Sequence, residues 1–191
     1  MVNDLYSMND SIVIWLVFAL LLFWAMGAYN RLVRCRSQGI AAFAVLEALF
    51  RQYMLLVKTS EPAATGGDHA TALENDVFLA AWTGLAAAAD QFNASLKVAH
   101  SQPLNGSAMS ALRTAFETLC VSWTRLRDLP PDVEGSAFAR TLQTPWDHVS
   151  VKVDMARTDF NEVVANYNEA IAQFPALLLA WLFGFRPAQT I

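Results

Sequence analysis

The run Ile12 to Ala28 (IVIWLVFALLLFWAMGA) holds seventeen residues without a charge, and it limits what this chain can fold into more than any other feature. As a helix rising about 1.5 Å per residue it covers roughly 26 Å, slightly under the roughly 30 Å hydrocarbon core of a bilayer. The sequence therefore predicts a transmembrane helix over 12–28, with Ser11 and Tyr29 at the two interfaces. Trp15 and Trp24 near opposite ends suit an aromatic belt. The competing reading is a cleaved signal sequence, for which Met26-Gly27-Ala28 offers small residues. Its leading region should be basic, whereas Met1 to Ser11 carries Asp4 and Asp10 and no Lys or Arg.

The flanks give an orientation. Arg31, Arg34 and Arg36 crowd the residues just after the span, and the tail before it is acidic. The positive-inside rule then leaves residues 1–11 outside and everything after Tyr29 in the cytoplasm. The same arginines are placed to meet anionic head groups, at about 1 kcal/mol each near the surface. A reducing compartment also suits Cys35 and Cys120, which have no CxxC and no His at metal spacing and are read as small packing residues.

Composition closes off other classes. Hydrophobic residues make up 55% and charged residues 16% of 191, too apolar a mixture for intrinsic disorder. A formal charge of -4 leaves no basic surplus for a nucleic-acid backbone.

Beyond the span the apolar residues keep a helical period. Val33, Ile40, Phe43, Phe50, Met54 and Val57 mark a stem continuing from the membrane helix, with Gly39 as a point where it can kink. A second helix opens at the capping-box pattern Thr71-x-x-Glu74 and carries Leu73, Val77, Ala81, Leu85, Ala88, Phe92 and Leu96. A third repeats Met109, Leu112, Phe116, Leu119, Trp123 and Leu126. The fourth is expected to start at Thr144-Pro145, a good N-cap and N1 pair, and to carry Val149, Val153, Ala156, Phe160, Val163, Tyr167, Ala170 and Phe174. The fold class that follows is all-α: a single N-terminal transmembrane helix continuing into an antiparallel up-and-down four-helix bundle over 29–174. An apolar segment over 175–191 follows it.

Catalytic chemistry finds no foothold. His69, His100 and His148 are scattered, and Asp147-His148 reads as first-turn capping. HExxH, GxSxG, P-loop and GxGxxG patterns are missing from the sequence. No catalytic residue, cofactor or metal ligand is expected, and the chain is read as non-enzymatic. Three features exceed a bland bundle. Phe160-Asn161 and Tyr167-Asn168 lie a heptad apart, so each aromatic fills the seam and each Asn borders it, where it can fix register across helices. Arg36 and Glu47 fall on or beside the stem's apolar stripe, too far apart to pair, so each needs another partner. Ala80, Gly84 and Ala88 form a small-residue ridge suited to close helix contact, inside the bundle or between subunits.

Two stretches resemble the LemA family of bacterial membrane-anchored helical proteins. Tyr29-Asn30-Arg31-Leu32-Val33-Arg34-Cys35-Arg36 is similar to that family's YN-x-LV-x-x-R signature. The stretch from Ala156-Arg157-Thr158-Asp159-Phe160-Asn161 through Tyr167-Asn168 and Phe174-Pro175 to Phe183-Gly184-Phe185-Arg186 resembles its AR-x-x-YN ending with FP and FGFK. The family's D-LIPNLV is replaced here by Gln52-Tyr53-Met54-Leu55-Leu56-Val57, and its aromatic-acidic tail by Pro187 to Ile191. The resemblance implies an N-terminal anchor, a cytoplasmic four-helix bundle and no known catalysis. It also points to relatives in stress response, membrane-protein quality control and magnetosome membrane formation.

The segment Phe174 to Phe185 (FPALLLAWLFGF) is apolar all round and needs cover. Twelve residues reach about 18 Å, too short to span, and an antiparallel bundle returns its fourth helix to the membrane. Pro175 is therefore expected to turn this segment at the bilayer surface beside Tyr29. The functional expectation is a self-associating scaffold, a homo-oligomer on the lipid bilayer with no nucleic-acid partner. The alternative is an adaptor or regulatory subunit of a membrane enzyme or protease. Membrane contact is assigned to Trp15, Trp24, Tyr29, Arg31, Arg34, Arg36 and Trp181, and helix packing or assembly to Gly84, Phe160, Tyr167, Phe174, Phe183 and Phe185.

Overall fold

A computed structural model of the chain describes residues 2–60, 72–130, 135–174 and 176–191. These form the helices α1 (Val2–Thr59), α2 (Ala72–Ser101), α3 (Gly106–Arg127), α4 (Ser136–Ala172) and α5 (Ala176–Phe183), with no strand among the described residues. The expected capping residue Thr71, His69 and Pro175 lie outside them.

α1 is one helix of 58 residues, roughly 87 Å long. It continues through Gly39 because that glycine serves a close approach: a Cβ there would lie 3.2 Å from both methyl carbons of Leu104. Leu104 sits in the α2–α3 connection at φ 68 and is buried. Packing against α1 holds a bulky residue in a backbone region it rarely adopts. Asn105 then caps α3, accepting from the backbone N–H groups of Ser107 and Ala108.

Ring contacts fix the topology. Tyr53 meets Trp146 at 4.5 Å and Phe43 meets Phe160 at 5.9 Å, so α1 and α4 run antiparallel. Phe50 meets Phe92 and Phe116, both at 5.0 Å, bringing α2 and α3 onto the same face of α1. Trp123 stacks on Trp146 at 4.5 Å with ring planes 13° apart, closing α3 on α4. The result is the up-and-down bundle expected from the periodicity, and α4 descends toward the apolar part of α1. Large rings at the centre add aromatic pair contacts to the apolar burial that holds the bundle.

The seams differ from the sequence pattern in register and extent. Every expected seam residue of α3 is buried. On α1 the buried row enters at Leu32, while Val33 and Ile40 point outward. On α2, Val77 is exposed. On α4 the buried position is Val164 rather than Val163, which is half-buried, and Phe174, 78% exposed, lies beyond the helix end. A strict heptad drifts about 20° per repeat against a straight helix, enough to move a contact to the adjacent residue over this length. α4 also begins at Ser136, with Pro145 inside it and Gly135 as a cap lacking a side-chain bond. Phe138 packs edge-on to Phe78 and Trp82 of α2, and this packing extends the helix upstream despite the hydrogen bond lost at the proline.

Gly84 lies on the outer face of α2, where an added Cβ would meet nothing within 4 Å. The intramolecular half of the small-residue expectation is therefore corrected for Ala80 and Gly84, which face away from the bundle, while Ala88 is buried in it.

Glu47 is buried at 6% exposure and has the partners its position demanded. The Arg51 guanidinium donates to Oε1, and His100 Nδ1 lies 2.9 Å from Oε2. Burial pushes the Glu47 carboxyl up, but the hydrogen bonds and charges of Arg51 and His100 outweigh it and hold the group below its ordinary value. A depressed carboxyl stabilises the fold above the ordinary carboxylate range, and this contribution is lost as pH falls through the depressed value. Thermal melts from neutral to acid should therefore show the wild-type advantage over Glu47→Gln shrinking below about pH 4.5. A constant difference would remove the ion pair from the account.

Candidate membrane-proximal site

Among the described residues α1 is the one helix long and apolar enough to cross a membrane, and none of its most apolar window is buried inside the protein. Trp15 is 70% exposed and Trp24 48%. Such a surface is stable only if something apolar surrounds it.

Where α1 leaves this apolar stretch, three pieces of chain converge. α4 ends at Ala172, and Gln173 accepts a hydrogen bond from the Arg31 guanidinium at 3.4 Å. Phe174 then turns its ring toward Trp24, 6.3 Å between centroids. It packs against the apolar part of α1 rather than filling the bundle seam assigned to it. α5 follows, packing through its small residues Ala176 and Ala180, which are buried. Leu177, Leu178, Trp181, Leu182 and Phe183 stand outward, Trp181 at 84% exposure. Tyr29 meets Phe183 at 4.9 Å and Phe185 at 6.2 Å. The C-terminal apolar segment thus lies beside Tyr29, as the return of α4 requires.

α5 stops at Gly184, whose φ of +71 suits the left-handed residue that ends many helices. The N–H of Phe185 closes the turn on the carbonyl of Ala180 at 2.9 Å. Residues 185–191 then form an extended strap running back along α4. Two asparagines hold it. Asn168 Nδ2 donates to the Ala188 carbonyl at 2.8 Å, and its Oδ1 accepts from the Ala188 N–H at 2.9 Å. Asn161 binds the oxygen and N–H of Ile191 in the same way, both at 2.9 Å. The Tyr167 hydroxyl donates to the Arg186 carbonyl at 3.0 Å, and Ala188 and Ile191 are buried.

This corrects the reading of the asparagines as register devices between bundle helices. A carboxamide presents one donor and one acceptor side by side and so matches the paired N–H and C=O of a single extended residue. Seven helical residues rise about 10.5 Å, while three extended residues cover about 10 Å. The heptad spacing of Asn161 and Asn168 therefore fits the three-residue spacing of Ala188 and Ile191. The strap was not anticipated, although this coincidence of repeats was its signal.

The cationic residues divide. Arg31 is engaged with Gln173, and Arg34 is exposed. Arg36 lies at the surface with its guanidinium 6.0 Å from the Phe185 ring centre. Phe160 and Tyr167 are buried in the bundle as expected, whereas Phe183 is 56% exposed and Phe185 half-buried. Cys35 and Cys120 are both partly buried, and burial pushes the Cys120 thiol up to about 11, leaving it protonated at neutral pH. Among the described residues no group of three or more His, Cys, Asp or Glu is placed to hold a metal ion.

Compared with known proteins, the model of the LemA family matches residues 80–191, from α2 through the strap. No curated protein and no solved structure matches the chain.

Proposed function

The chain belongs to the LemA family, and from that premise we propose that it is a non-enzymatic scaffold, held in the bacterial inner membrane by residues 12–28 and self-associating at the cytoplasmic face. The observation that carries this reading is the apolar face of α5, exposed beside the base of the anchor helix. A bundle end has no need of five outward Leu, Trp and Phe side chains, but a surface resting on lipid and meeting neighbouring subunits does. Arg31, Arg34 and Arg36 support the cytoplasmic side by the positive-inside rule. The outward Ala80 and Gly84 offer a second place for a helix of another subunit to come close.

The test is particle size and composition in lipid nanodiscs, after crosslinking in cells. The scaffold reading expects a multimer consisting mainly of this chain. Trp181→Glu and Gly84→Leu should each reduce its size while circular dichroism keeps the helical signal. A monomer of unchanged size in all variants contradicts the reading. A stoichiometric second protein would identify the chain instead as an adaptor or regulatory subunit of a membrane enzyme or protease.

A further inference from the structure

A cleft of about 360 Å³ opens between α1, the α2–α3 connection and the strap. Arg36, Arg186, Ser101, Gln102, Asn105 and Tyr167 are among the residues that line it. Among the described residues the arginine ion pairs are made by Arg51, Arg113, Arg127 and Arg157. Arg36 and Arg186 have no carboxylate partner there. In a chain with 17 acidic and 13 basic residues, two arginines lining one cleft with no Asp or Glu beside them is a selective arrangement.

The cleft is also held in shape. The Arg186 carbonyl accepts from Tyr167, and Asn168 clamps Ala188 two residues on. Arg36 rests over Phe185. Gln102 accepts from Asn105 through its oxygen at 3.1 Å, and its amide nitrogen has no partner among the described residues. Guanidinium groups with neutral amide donors are the chemistry that recognises a phosphate oxyanion.

The location narrows the ligand further. Arg36 follows Ala28 by eight residues, about 12 Å along α1. The headgroup layer is about 5 to 8 Å deep on each side of a bilayer, so a long side chain here reaches it. Gly184 lines the cleft directly after Phe183, so the polar cleft adjoins the outward apolar face of α5. We propose that the Arg36–Arg186 cleft binds the phosphate group of a glycerol phosphate, carried by an anionic lipid headgroup or by a free ester. The lipid form rests on the membrane reading above; the free form does not.

The test uses the full chain in phosphatidylcholine nanodiscs with and without phosphatidylglycerol, with retained lipid read by native mass spectrometry. The wild type should keep bound phosphatidylglycerol, and Arg36→Gln/Arg186→Gln should keep it at least about tenfold less. Lys97→Gln/Lys152→Gln, an equal charge loss away from the cleft, should retain it. In a second arm, glycerol phosphate is titrated onto the detergent-solubilised chain while the Arg186 and Ala188 amides are followed by nuclear magnetic resonance. Shifts that vanish in the arginine pair without lipid retention support the proposal with the free ester as ligand. Carbonate extraction of the protein from cell membranes would sink the membrane reading, and the second arm then decides the cleft alone. Binding in neither arm, or equal binding by the wild type and the arginine pair, overturns the proposal.

Discussion

Phe160→Ala is expected to cost about 3 to 5 kcal/mol in denaturant unfolding of the detergent-solubilised chain. Phe160 is completely buried, and its ring lies 5.9 Å from that of Phe43 across the α1–α4 seam. Removing it leaves a void between α1 and α4, where the neighbouring rings of Tyr53 and Trp146 pack on each other, and Trp146 also on Trp123 of α3, so there is little freedom to collapse inward. Against a total stability of about 5 to 15 kcal/mol this is a large fraction. Asp159, the preceding residue, is exposed, and Asp159→Ala should stay within about 0.5 kcal/mol. Equal losses from the two would place the seam on the wrong face of α4.

The second large effect concerns the strap. Asn161→Ala together with Asn168→Ala removes four hydrogen bonds, two to Ala188 and two to Ile191. At about 0.5 to 1.5 kcal/mol net each, the loss should be about 2 to 6 kcal/mol. Its signature is local, because the asparagines bind the strap and not another bundle helix. Hydrogen exchange at the Ala188 and Ile191 amides should accelerate strongly while the centre of α3 stays protected. Asn168→Asp separates recognition from polarity. It keeps an acceptor for the Ala188 N–H but turns a carboxylate toward the Ala188 carbonyl, so exchange there should also rise. Unchanged exchange in these variants would mean that apolar packing alone holds residues 185–191.

These two sites show where the sequence was readable. The α3 seam was legible residue by residue because three-and-four spacing is direct evidence of a buried helix face, and the all-helical bundle follows from four such faces. Exact phase was less legible. Val163 and Val164 are both β-branched and apolar, and the choice between them depends on how far the heptad has drifted against the helix by that point. The start of α4 was missed because Thr144-Pro145 is a strong local signal, while the packing that overrides it, Phe138 on Phe78 and Trp82, comes from a distant part of the chain.

At the candidate membrane-proximal site the apolar run over 12–28, the arginines and the apolar C-terminal segment are all visible in hydropathy and charge. The role of Asn161 and Asn168 could not, since an amide beside a seam has the same pattern whether it meets a helix or an extended strand. Gly84 shows the same limit: a small-residue ridge announces that close approach is possible, but only the arrangement of helices tells which side it faces. Arg36 and Glu47 were read alike as charges needing partners. Glu47 found Arg51 and His100 in the bundle, while Arg36 lies at the surface over an aromatic ring and faces a cleft.

The proposed scaffold requires that the base of the bundle rest on the bilayer. The most direct measurement attaches an environment-sensitive fluorophore at Trp181→Cys, with Cys35 and Cys120 replaced by Ala, and reconstitutes the chain in vesicles containing lipids brominated at defined depths. Trp181 is 84% exposed on the outward face of α5. The account predicts emission of an apolar environment and quenching strongest for bromines near the headgroup end of the acyl chains. A water-like emission unaffected by bromolipids at every depth would contradict it, because the exposed face of α5 would then not touch lipid.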